Sequence, residues 1–248
     1  MTQDPLFLVS ANLFAAVLLR CFRPNVVSAL VLTVVMIAST AYMGTQHGEA
    51  ILLAIYEARD QVQSRIGNQT RWPPQKDFAY PDLNLRDQAG RLRKLSEFKG
   101  KVILLEPVGM SCPACIAFSG GQQRGPFRGV RPQLNLDSIE HYVREFGNIT
   151  LDHPDLVFVQ LLLFNENLEP PQPGDVASWA EHFGMYRSPH QVVLGGNSSL
   201  ANAASQAIVP GFQLIDKNFV LRMDSTGERP ADDLYRDLLP AIRRLLEE

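Results

Sequence analysis

Cysteine is scarce in this 248-residue chain, which has three, at positions 21, 112 and 115. That is too few to staple a domain into a disulfide framework, and Cys112 and Cys115 are the one close pair, so redox or metal chemistry outranks structural cross-linking. A surplus of positive charge is missing as well. There are 23 Lys and Arg against 26 Asp and Glu, a formal net charge of -3, so the chain lacks the electropositive footprint that nucleic-acid binding requires. No G-x-x-x-x-G-K-[ST] phosphate loop occurs, which excludes nucleotide hydrolysis of that type and makes the ATPase-like run Phe118-Ser-Gly-Gly-Gln-Gln123 a coincidence. What is there, 46% hydrophobic and 20% charged residues, suits one globular domain with additional segments.

The first additional segment is an uncharged run over residues 25–43. At ~1.5 Å rise per residue it is long enough to cross a hydrocarbon core of ~30 Å, and we read it as a membrane span or signal anchor. It is long and starts late for a cleaved signal peptide. A shorter apolar stretch, 6–19, suits an interfacial helix, a re-entrant segment or a short first span. Arg20 and Arg23 lie between the two, so the positive-inside rule puts that point in the cytoplasm and everything after Met43 outside it. Cys21, flanked by arginine, reads as a bystander.

Over residues 48–75 the pattern is that of a helical stalk and linker. Ile51, Ile55, Ala58, Val62 and Ile66 line one helical face, which either packs on the domain, continues the membrane helix or forms a short, weak homodimer seam. Trp72-Pro73-Pro74 stops it. From 76 onward the chain reads as a domain. Leu83 and Leu85, a turn over 87–90, then Leu92 and Leu95 give a hairpin. Strands are expected in the apolar run that leads from Val102 to the cysteines at 112 and 115, over 155–164 and over 190–194, with helices over 136–146, 175–183 and 198–207. A final hairpin, 211–216 with 219–223, precedes a closing helix over 230–247 carrying Leu234, Leu238, Ile242 and Leu245 on one face. Alternating strands and helices imply an α/β fold with a sheet flanked by helices on both faces.

The first of those strands delivers Cys112-Pro113-Ala114-Cys115 into a helix start. Two cysteines at this spacing close a disulfide with little backbone movement, and a helix N-terminus favours the thiolate of the first. The same pair of thiolates can also clip a soft metal such as Cu(I), with His182 or His190 as a third ligand. On these residues alone, redox site and metal clip both stand. A peroxidase would need Thr or Ser three residues before its cysteine, where Gly109 stands.

With the hairpin at 80–101, CPAC at 112–115 and Val209-Pro210-Gly211-Phe212-Gln213-Leu214-Ile215-Asp216 taken together, the chain from about 80 to 248 resembles the thioredoxin superfamily. It is most similar to the membrane-anchored, periplasm-facing thiol–disulfide oxidoreductases. The resemblance implies a thioredoxin-like fold, needs no cofactor, and assigns roles. Cys112 would be the attacking thiol and Cys115 the buried resolving thiol of a redox-active disulfide. Glu106 would be a buried acid that takes a proton from Cys115, its pKa raised by an apolar strand. Pro210 would be a cis-proline that presents the Val209 backbone to a substrate strand. Cysteine-containing protein substrates and a redox partner protein would be its partners, with a reductant role in cytochrome c maturation or a similar pathway. Alternatives are a thioredoxin-fold copper chaperone using the same cysteines and a non-catalytic scaffold.

Three features depart from that pattern. Ser111 precedes Cys112 where tryptophan is common. Pro107 is expected to bend the strand or end it early, since proline deletes a ladder donor. Residues 119–148, beginning with a Gly- and Arg-rich loop over 119–132, look like an insertion beside the site that governs partner choice.

Overall fold

The computed structural model describes residues 72–186 and 188–248. The apolar stretches at 6–19 and 25–43, Cys21 and the helical stripe of the stalk lie outside them. Among the described residues no helix is long and apolar enough to cross a membrane.

Two apolar runs build the centre. Strand β3, Val102–Gly109, and strand β4, Leu156–Phe164, are buried at every position and pair in parallel, from Val102 with Leu156 to Val108 with Leu162. Strands covered on both faces need no polar alternation, which is why both read as continuous hydrophobic sequence. The pleat still sorts their side chains. Val102, Leu104, Val108, Leu156, Phe158 and Leu162 enter one core. Ile103, Leu105, Val157, Val159, Leu161 and Leu163 enter the other.

Around this pair lie β1 (Asn84–Asp87), β2 (Leu92–Lys94), β5 (Gln191–Gly195), β6 (Gly211–Ile215) and β7 (Leu221–Thr226), in the sheet order β2-β1-β5-β4-β3-β6-β7. The hairpin of β1 and β2 forms one edge, turning through Asp87, whose carboxylate accepts the amides of Ala89 and Arg91. Strand β5 runs parallel to β4 and antiparallel to β1. Strands β6 and β7 make the other edge, with β6 antiparallel to β3.

Helices cover the two faces unequally. Helix α1, Pro113–Phe118, helix α3, Ile139–Gly147, helix α4, Pro173–Phe183, and helix α6, Leu239–Glu247, all pack into the first core. The second face is closed by a 3₁₀ turn, Leu95–Phe98, and by Tyr80, Phe219 and the chain flanking helix α5, Ala203–Ala207. Trp72 also packs there and donates to Ser205 Oγ at 2.6 Å. Helix α2, Gly121–Arg124, is a single turn inside what the sequence suggested was a loop.

Three expectations need correction. Pro107 does not end β3 early: the strand runs on to Gly109, with an irregularity in its pairing to β4 between Val108 and Gly109. The Val102 amide points at β4, donating to Asp155 O, and amides alternate along a strand. Position 107 therefore faces β6, and the β3–β6 ladder stops at Leu105–Gln213, short of Gly211, the β6 residue that stands in register with Pro107 and would need the amide that proline lacks. The helix expected over 198–207 shrinks to α5. Asn197 accepts from the Ser199 amide and Asn202 caps at Ser205, and these side chains compete with helix for the local amides. The closing helix starts at Leu234, not Pro230, because Asp233 caps the Tyr235 and Arg236 amides. A wide π turn, Leu234–Leu238, then leads past Pro240 into α6. The face Leu234, Leu238, Ile242 and Leu245 is buried as expected.

Candidate active site

Strand β3 ends at Gly109, and the Cys112 amide donates back to Gly109 O at 3.0 Å, turning the chain into α1. Pro113 occupies the first helical position, where its missing amide costs nothing, and Cys112 is the cap. The Cys112 sulfur accepts the Cys115 amide at 3.3 Å. Cys112 is half-buried, Cys115 fully buried, and both are free thiols.

These surroundings split the two thiols. A hydrogen bond from the Cys115 thiol, helped by the amides of Cys115 and Ala114, brings the Cys112 pKa down to about 7 against partial burial. Burial first, then the hydrogen bond to Cys112, pushes the Cys115 thiol well up. Near neutrality one sulfur is poised as thiolate and the other keeps its proton.

Glu106 sits beneath them on β3, wholly buried. Burial pushes its carboxyl pKa well up, a hydrogen bond from Gln160 pulls the other way, and the Cys112 charge raises it again. Its Oε2 accepts Gln160 Nε2 at 2.8 Å, whereas Oε1 is, among the described residues, a buried oxygen with no partner. A carboxyl that ionises at higher pH in the fold than in the unfolded chain contributes stability below its ordinary pKa. That contribution is lost as pH rises through the raised folded value. Glu106→Gln keeps an acceptor for Gln160 and cannot ionise. Urea unfolding at pH 5 and pH 8 is therefore expected to show wild type losing stability relative to this variant as pH rises, and a gain would mean that Glu106 is ionised in the fold.

The expected facing element is in place. Val209-Pro210 is a cis peptide bond immediately before β6. A Cβ built on Gly109 would stand 3.6 Å from Val209 Cγ1 and 3.8 Å from Cys112 Cβ, so the proline loop and the outer cysteine flank one glycine. The Val209 amide is used internally, donating to Gln206 O at 3.3 Å.

Three residues at the site escaped the sequence reading: Gln160, Trp179 and Ser119. Trp179 Nε1 donates to Gln160 Oε1 at 2.9 Å, Gln160 Nε2 donates to Ser119 Oγ at 2.7 Å, and Ser119 Oγ donates to Cys115 O at 2.8 Å. One signal was available. Gln160 is the single polar residue in LVFVQLLLF, and a buried amide needs partners.

The 119–148 segment does reach the site, since Gln133 N donates to Pro113 O at 2.9 Å. It is anchored by Phe127 against Trp179, ring centroids 5.0 Å apart, and by Arg128, which binds Asp175 at 2.7 Å and Glu166 at 3.1 Å. Neither histidine joins the cysteines. The His182 ring lies on Phe127 with Nε2 3.3 Å from Gly125 O, and His190 precedes β5, its carbonyl accepting from Phe158 near the start of β4. Among the described residues no three His, Cys, Asp or Glu side chains gather to hold a metal.

A CxxC at the end of a central strand, a parallel neighbour on one side, an antiparallel neighbour on the other and a cis-proline opening that second neighbour decide the architecture. The fold is thioredoxin-like. No family model matches the chain. No curated protein matches it either. Among solved structures it is similar to a thiol:disulfide interchange protein from a Bacteroides species, at 14% identity, with 70% of this chain and 91% of that chain covered and a TM-score of 0.43. It is also similar to the thioredoxin domain of a thiol-disulfide oxidoreductase from Bacteroides vulgatus, at 19% identity, covering 65% and 93%, with a TM-score of 0.40. A third is a thioredoxin-like protein from Porphyromonas gingivalis, at 14% identity, covering 68% and 92%, with a TM-score of 0.42. Beyond the β4-β3-β6-β7 unit the sheet continues at one edge through β5 and the β1–β2 hairpin.

Proposed function

We propose that this chain is a membrane-anchored, extracytoplasmic thiol–disulfide oxidoreductase that exchanges disulfides with cysteine-containing protein partners. The observation that carries the reading is the asymmetry of its dithiol: an accessible Cys112 with a pKa of about 7 capping a helix, over a buried Cys115 whose pKa is raised. The Cys112 thiolate attacks one sulfur of a substrate disulfide, forming a mixed disulfide and releasing the other sulfur as thiolate. Glu106 then takes the Cys115 proton, and the Cys115 thiolate attacks Cys112 Sγ. The products are the Cys112–Cys115 disulfide and a second substrate thiol, two electrons having passed to the substrate. A reductant protein that runs the sequence backwards restores the dithiol.

The Val209 carbonyl is the backbone group left for pairing with a substrate strand, since its amide is engaged. The resemblance favours the reducing direction, with cytochrome c precursors or similar proteins as recipients. Localisation rests on the uncharged stretch 25–43 preceded by Arg20 and Arg23. Reporter fusions after Met43 test it, and cytoplasmic reporters would refute it.

A redox titration of the purified full chain, read by thiol trapping, tests the activity. Cys112 and Cys115 are expected to interconvert as one two-electron couple, with excess Cu(I) chelator leaving the titration unchanged. Failure to interconvert, together with tight Cu(I) binding, would replace this reading with the metallochaperone one.

A further inference from the structure

The polar chain beneath the cysteines has a direction that its donors dictate. An indole N–H can only donate, so the group that Trp179 Nε1 meets at 2.9 Å must be the Gln160 carbonyl oxygen. That fixes which end of the Gln160 amide faces away. Its Nε2 carries two hydrogens, and both are spent, one on Glu106 Oε2 at 2.8 Å and one on Ser119 Oγ at 2.7 Å. Ser119, having accepted, donates its own hydrogen to Cys115 O at 2.8 Å. Four separate elements are thereby joined in one sense: α4, β4, β3 and the end of α1.

We propose that Trp179 and Gln160 form an orienting clamp, which turns an N–H and not a carbonyl toward Glu106 and makes Gln160 the positioning residue for the proton that Glu106 exchanges with Cys115. The proposal rests on the thiol–disulfide reading above. With the opposite amide orientation, Gln160 Oε1 would face Glu106 Oε2 and two acceptors would meet. Glu106 would then have to stay protonated and spend its hydrogen on Gln160, where Cys115 cannot use it. In the observed orientation Oε2 receives a donor, which favours the carboxylate against the burial that opposes it. Oε1, buried and unpartnered, is left as the oxygen to receive the thiol proton. The proton balance closes within the site. Cys115 S–H loses its proton to Oε1 as its sulfur attacks Cys112 Sγ, and the acid returns it when the disulfide is reduced.

The groups that face Glu106 are few. Helix α1 brings the Cys112 and Cys115 thiols, β4 brings Gln160, and β6 presents Phe212 and Leu214 to the same core. The two thiols are thus the titrating groups acting on it, and the Gln160 amide is the donor that opposes burial.

The test uses the full chain with two variants. Trp179→Phe removes the indole N–H and keeps an aromatic ring against Phe127 and Phe183, and Gln160→Met removes the amide at similar length. The Glu106 carboxyl is followed by ¹³C NMR through a pH titration, and resolution of a mixed disulfide between Cys112 and a small aromatic thiol is timed from pH 5 to 9. Both variants are expected to raise the Glu106 midpoint by about one pH unit. Both are also expected to slow resolution at pH 7 about tenfold while approaching the wild-type rate at high pH. If Trp179→Phe or Gln160→Met folds with the wild-type midpoint and pH profile, the clamp is overturned and the contacts are packing alone. A wild type that never resolves the mixed disulfide would instead refute the oxidoreductase reading, while the NMR midpoints would still report the clamp.

Discussion

Cys112→Ser is expected to abolish disulfide exchange, on the order of a thousandfold or more, as removal of an attacking nucleophile does. Cys115→Ser is expected to leave attack intact and stop the cycle one step later. Both outcomes follow from the different places the two sulfurs occupy. Cys112 is the accessible one, its thiolate held by the Cys115 thiol and two amides. A serine hydroxyl in its place ionises far too weakly to attack sulfur at neutral pH. Cys115 is completely buried, out of reach of an external disulfide. Its serine variant therefore accumulates the mixed disulfide, visible as a covalent complex on a non-reducing gel and lost when reductant is added.

The same asymmetry sets a pH signature. Alkylation of Cys112 by iodoacetamide is expected to rise about tenfold per pH unit below pH 7, where thiolate is scarce, and to level off above it as the pKa of about 7 is passed. Cys115 is expected to stay unmodified in the native protein throughout. Mass spectrometry of the alkylated chain reads both. Modification of Cys115 before Cys112, or a rate still climbing steeply at pH 9, would mean that the assignment is reversed or that the Cys112 thiolate is not stabilised.

The residues that make this site legible are those whose meaning is local. CPAC at the end of an apolar strand stands out by its spacing as a redox site or a metal clip, and the resemblance supplied Glu106 and Val209-Pro210, which the fold brings to the same end of the sheet. Strand positions were legible because β3 and β4 are buried throughout, leaving a hydrophobic run with little else to become. Gln160 was not, because its role depends on an indole 19 residues further on and a carboxylate 54 residues back. Pro107 was misjudged for a related reason. A strand proline costs a hydrogen bond only toward the neighbour its nitrogen faces, here β6, and β3 runs on past it because its pairing with β4 continues through Val108–Leu162. The short α5 reflects competition between side-chain caps and helix, which composition alone hides: an alanine-rich run looks helical until Asn197 and Asn202 take the amides at its start.

Gly211→Ala tests the half of the site that carries no sulfur, and its expected effect on the fold is large. Gly211 follows Pro210, opens β6 and pairs with Thr226 of β7. Its φ is 153°, and a Cβ there would lie 2.3 Å from Ser225 O and 2.4 Å from Thr226 Cα. Both are backbone atoms of a paired strand, so no side-chain rotation relieves the clash. Either β7 moves away, breaking the edge pairing, or Gly211 changes its backbone angle and carries Val209-Pro210 with it. The cost is expected to be about 3 kcal/mol, from overpacking and from the backbone angle together. Gly90→Ala is the control, with φ of 77° but nothing within 4 Å of the added carbon, and should cost only about 1 kcal/mol. Urea unfolding separates the two. Exchange activity extrapolated to the folded fraction should also fall in Gly211→Ala and not in Gly90→Ala, because only the first displaces the loop that meets Cys112 across Gly109. Equal stability losses in the two variants would show that β6 and β7 tolerate the added carbon. Full activity in folded Gly211→Ala would remove the Val209-Pro210 loop from the site.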